Sequence, residues 1–118
     1  MLRWTAFLAL VLTMLSTSLV SAQAVPTCPM TPTISALQDC VRHASEQGHI
    51  TKPGVARSLL AELQVAQSAL DRAHTRVAIA ILEIFIREVR AQSGRSIEPE
   101  HAAHTIDHAQ LVIQALRR

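Results

Sequence analysis

The sequence predicts an all-α fold: a small antiparallel four-helix bundle made of a three-helix core module and an N-terminal helix. Three observations predict it. Apolar residues recur at three- and four-residue spacing in four successive stretches. Glycines and prolines fall at the joints between those stretches. The joints are short, and short connections make consecutive helices antiparallel neighbours.

The first helix is expected over Thr33 to Gln47, with Ile34, Leu37, Val41 and Ala44 on one face and Gly48 where a C-terminal cap glycine belongs. Thr51 offers an N-cap for the second, with Pro53 in its first turn. Val55, Leu59, Leu63, Ala66 and Leu70 mark its buried face, and it ends near Ala73. The third, about Thr75 to Ser93, contains VAIAILEIFI. That run has the composition of a buried strand, but its length and flanks favour a helix. Wound at about 100° per residue, it groups Ala78, Leu82, Phe85 and Val89, flanks them with Ile79, Ile81, Ile84 and Ile86, and leaves Arg76, Glu83, Arg87 and Arg90 on a narrow charged stripe. Glu83 is expected to pair with Arg87 at i+4, and Glu88, nearer the apolar arc, to form a rim salt bridge. Gly94 ends this helix. Ile97-Glu98-Pro99-Glu100 opens a fourth that runs to about Leu116, with Ala102, Ile106, Ala109, Ile113 and Leu116 as its core face.

The opening residues read differently. Arg3 supplies a positive start and Thr5 to Val20 form an uncharged, mostly apolar run, so residues 1–22 are expected to be a cleaved signal peptide. Cleavage falls before Gln23 or, alternatively, before Val25. The run is shorter than the roughly 20 residues of a spanning helix, so no stable membrane span is expected after cleavage. Val25-Pro26-Thr27 before Cys28 is not a lipidation box. Residues 23–32 form a Pro-rich entry segment, and residues 33–118 a single helical domain. About 95 residues support one core and not two.

An exported chain meets an oxidising compartment, so Cys28 and Cys40 are expected to pair; they lack the two-residue spacing of a redox motif. Without Arg3, the 11 Lys and Arg become ten against 9 acids, with the signs mixed along the chain. Nothing forms a nucleic-acid-binding stripe. Phe85 would be the sole aromatic of the mature chain, inside an apolar run, so stacking surfaces for sugars or bases are missing.

From Gly48 to Leu116 the residues AI-x-x-L-x-x-FI-x-x-V-x-x-x-x-G-x-x-I-x-P-E-x-A-x-x-x-I-x-x-A-Q, preceded by GVARSLLAEL, resemble the short helical module called FIMAH. The resemblance covers about residues 48–116. It rests on core and turn positions such as Gly54, Leu59, Leu63, Phe85, Ile86, Gly94, Ile97 and Gln110. It implies a helical fold and a secreted or cell-surface setting. Modules of this family typically lie near the C-terminal ends of large bacterial and archaeal proteins, many of them hydrolases; here the module is read as standing alone. The resemblance carries over no catalytic residue. Two positions depart from the pattern: Ala73-His74, where Gly or Asn would suit the turn better, and Thr105, where a larger aliphatic residue is usual.

HAAHTIDHAQ, residues 101–110, holds three of the six histidines. With His101 at zero, His104 and His108 fall at about 300° and 340°, away from the core face at about 60° to 140°. His104 and His108 have the i, i+4 spacing of helical metal ligands, with His101 as a possible third. An exposed polar face with no specific metal site is the preferred expectation. Weak transition-metal binding or sensing by His101, His104 and His108 is the alternative. Leu111, Val112 and Ala115 continue that side as an apolar surface, where either the first helix or a partner could lie. The sequence contains no G-x-S-x-G, phosphate-cradling loop, H-E-x-x-H or C-x-x-C. Neither catalytic residue nor cofactor is therefore expected. The expected function is that of a non-enzymatic, periplasmic or secreted interaction module that binds an envelope or extracellular protein or a wall component.

Overall fold

The computed structural model describes residues 28–118. The expected signal peptide and residues 23–27 lie outside the described residues. Four helices follow in order: α1 (Ile34–Glu46), α2 (Pro53–Asp71), α3 (Thr75–Gln92) and α4 (Pro99–Leu116).

Local chemistry sets most of the boundaries. Thr33 caps α1, its hydroxyl accepting from the Ala36 N–H at 3.1 Å. At the other end Gly48 takes φ 80°, which lets the chain reverse while the His49 N–H donates to the Ala44 carbonyl at 2.8 Å. The expected N-cap Thr51 lies one residue too early. Lys52 occupies the cap position and Pro53 the first turn, without a side-chain cap bond. Thr51 is drawn into a contact between loops instead, its N–H donating to the Ser96 carbonyl at 2.8 Å. Glu98 caps α4 in the same manner, followed by Pro99.

Each helix packs on two neighbours, in the order α1, α2, α3, α4 and back to α1. Because the links are short, this four-sided ring runs up, down, up, down. The α1–α2 and α3–α4 loops therefore share one end of the bundle. They are joined there through Ile50 and Ile97, which form a backbone bridge and are both buried.

Phe85 sits at the centre, fully buried with Leu37, Leu59, Leu63, Leu82 and Val89. The expected faces of α1 and α3 match the buried residues, except that Ile84, expected to flank the arc of α3, is 46% exposed. On α4 the buried arc is turned from the expected one. Ala102, Ala109 and Ile113 are in the core, but Ile106 and Leu116 are only partly covered, whereas His108 and Val112 are buried. The reason is that α4 is covered from two sides, by α3 and by α1. Glu83 is likewise corrected: it accepts from Arg117 at 3.3 Å across helices rather than from Arg87.

The α2–α3 turn carries a cost that the sequence foreshadows. Ala73 adopts φ 61°, the left-handed region in which a Cβ meets the backbone. Ala73→Gly should stabilise the protein by about 0.5–1 kcal/mol, the relief of strain exceeding the entropy that glycine adds to the unfolded chain. A urea midpoint unchanged or lowered by the substitution would contradict this.

Candidate functional site

The paired loops bring together side chains from distant parts of the chain. The Glu98 N–H donates to the His49 carbonyl at 3.0 Å, which places both side chains on one edge of the bundle end. His49 Nδ1 lies 2.8 Å from Glu98 Oε2, and His101 Nδ1 lies 3.3 Å from the same oxygen. The two imidazoles stack with centroids 3.6 Å apart and planes 15° from parallel. His49 and His101 are half-buried and Glu98 is exposed. His101 Nδ1 is sealed from solvent and, although close to Glu98, lacks the alignment of a hydrogen bond. Burial holds the His101 pKa below its ordinary value, the neighbouring His49 adds to this, and Glu98 partly opposes both.

The three histidines of α4 thus do not form one outward face. His101 joins His49 and Glu98. His104 is half-buried, with Nε2 sealed from solvent and unpartnered. His108 is fully buried, and its Nε2–H donates to the Thr31 carbonyl of the entry segment at 2.6 Å. The outward placement of these imidazoles is corrected, because the entry segment and α1 cover the side of α4 that the helical wheel leaves open. The Cys28–Cys40 disulfide holds that segment in place, with Cα atoms 5.4 Å apart. The same cover affects the apolar residues beyond His108. Val112 is buried and Ala115 half-buried, so only Leu111, 38% exposed, remains open among the three candidate interface residues.

A second cluster escaped the sequence reading. Glu62 of α2 faces Glu88 of α3, so Glu88 meets a like charge instead of the expected cation. Glu62 Oε2 is sealed from water without a donor. Burial first, then Glu88, raises the Glu62 pKa to about 8 from an ordinary 4.5. Protonation resolves the conflict by letting Glu62 donate to Glu88.

The native state therefore keeps a proton that the unfolded chain releases above its ordinary pKa. Glu62 contributes least stability at high pH: its contribution falls as pH rises from about 4.5 and levels above about 8. Glu62→Gln, which retains a donor and carries no charge, should melt several degrees above the parent at pH 9 and close to it at pH 4. Parallel melting curves across that range would overturn this reading.

An open groove of about 320 Å³ runs between α2 and α3, lined by Gln64, Val65, Ser68, Arg72, Val77 and Ile81 among others. Val65 and Val77 are 56% and 51% exposed. Neither Glu62 nor Glu88 lines it.

The family model of the FIMAH domain matches residues 34–114. The chain belongs to the FIMAH domain family. The match begins at the first residue of α1, ahead of the residues 48–116 that carried the resemblance, so the module takes in all four helices. Comparison with curated proteins and with solved structures gives no match. Among the described residues no helix is long and apolar enough to cross a membrane. FIMAH membership and the cysteine pair fit an extracellular or cell-surface protein.

Proposed function

We propose that this FIMAH module is an exported, non-enzymatic interaction domain, periplasmic or secreted, that binds an envelope or extracellular protein or a wall component. The observation that carries the reading is the α2–α3 groove. Val65 and Val77 stand open to solvent in its lining, beside the polar Gln64, Ser68 and Arg72. Exposed apolar side chains grouped with polar ones in a groove are what a docking surface offers. This groove takes the place of the Leu111, Val112 and Ala115 surface as the preferred contact, because Val112 is already buried and Ala115 half-buried. Export is supported by the charge and hydropathy pattern of residues 1–22 and by the cysteine pair.

The test is capture from the native envelope by immobilised protein, with Val65→Glu/Val77→Glu as the comparison. A specific partner should be retained by the parent and lost by the variant, with circular dichroism of the two proteins superimposable. Equal capture by both proteins would place binding elsewhere on the module.

A further inference from the structure

We propose that His49 Nδ1, His101 Nδ1 and Glu98 Oε2 form a binding site for one divalent transition-metal ion, of the zinc type, that ties the α1–α2 loop to the first turn of α4. The site goes beyond the docking role and does not depend on it.

Three potential donor atoms, one from each residue, lie within 4.8 Å of one another. Tetrahedral ligands about 2.0–2.1 Å from a zinc ion stand roughly 3.3 Å apart. The carboxylate oxygen already lies 2.8 Å and 3.3 Å from the two ring nitrogens, close to two edges of such a tetrahedron. The remaining adjustment is a splaying of the stacked imidazoles, so that both lone pairs converge on the ion. Both rings stand at the loop end of the bundle and retain partial solvent exposure, which leaves room for that motion and for a water as fourth ligand.

The backbone beneath the site is set before any ion arrives. The Glu98 N–H bond to the His49 carbonyl and the Thr51 N–H bond to the Ser96 carbonyl fix the two loops, and Ile50 and Ile97 anchor them in the core. Little ordering entropy then remains to oppose binding. The donor set also selects the ion. Two imidazole nitrogens and one carboxylate suit zinc, nickel or copper, whereas calcium and magnesium require mostly oxygen. A bound ion would join residues 49 positions apart in the chain. It would also hold His101 Nδ1, which has no hydrogen bond of its own.

Calorimetric titration of tag-free protein with Zn²⁺ near neutral pH should show saturable binding of one ion per chain and a raised melting temperature, with Ca²⁺ giving neither. His49→Ala, Glu98→Gln and His101→Ala should each weaken binding by at least about tenfold, while His74→Ala, on the exposed α2–α3 turn, leaves it unchanged. Circular dichroism confirms that each variant is folded, and Co²⁺ substitution should give the visible absorption of a four-coordinate nitrogen and oxygen site. Zn²⁺ affinity no greater than that of free imidazole would overturn the proposal. So would binding that survives His49→Ala but is lost in His104→Ala/His108→Ala, which would place the ion on α4 alone.

Discussion

Phe85→Ala should unfold a substantial part of the population at physiological temperature. Phe85 is fully buried, and Leu37, Leu59, Leu63, Leu82 and Val89 are its fellow members of one core cluster drawn from α1, α2 and α3. Truncating a buried phenylalanine costs about 3–5 kcal/mol through lost transfer energy and the cavity left behind. A domain of this size has a total stability of about 5–13 kcal/mol, so the loss is roughly a quarter of it or more. Collapse of the neighbours into the cavity is restricted because they extend from three different helices. Phe85→Leu, which refills most of the volume, should lose much less. Urea denaturation followed by circular dichroism checks both variants. A urea midpoint for Phe85→Ala close to that of the parent would mean that the centre of the bundle lies elsewhere.

The position of Phe85 was legible from α3 alone, because its apolar arc is wide and its charged stripe narrow. The helix boundaries were legible for a related reason: Gly48, Gly94, Pro53 and Pro99 act through their own backbone preferences and need no tertiary context. Thr51 was misplaced because its cap chemistry was overridden by the contact with Ser96, which no local pattern encodes.

The candidate site was less legible because every part of it depends on which segments meet. A helical wheel of α4 places His101, His104 and His108 relative to one another, but it cannot show that the entry segment covers His108 while His49 approaches His101. One signal was within reach. In an up-down-up-down bundle the first and third loops lie at the same end, so His49 beside Gly48 and Glu98 beside Pro99 share that end by topology. The Glu62–Glu88 pair had no comparable signal, since each residue taken alone reads as a polar position at the margin of an apolar arc.

Removal of the Cys28–Cys40 disulfide should have the other large effect, and it should be localised before it is global. The bond spans 12 residues. In the chain-entropy account, closing a loop of that size restricts the unfolded state by about 3 kcal/mol. The native consequences centre on Thr31, whose carbonyl accepts from His108 within the closed loop. Once the bond is reduced, the entry segment keeps few anchors, since Pro29, Thr31 and Pro32 are exposed. It should lift from α4 and uncover His108, while the α2–α3 packing persists. Diethyl pyrocarbonate should leave His108 unmodified in the oxidised protein and modify it after reduction or in Cys28→Ser/Cys40→Ser, with a melting temperature lowered by many degrees. Phe85 should remain inaccessible under the same conditions, as judged by retained cooperative unfolding. If His108 stays protected in the reduced protein, the cover over this face is held by α1 packing alone and the disulfide serves only the unfolded chain.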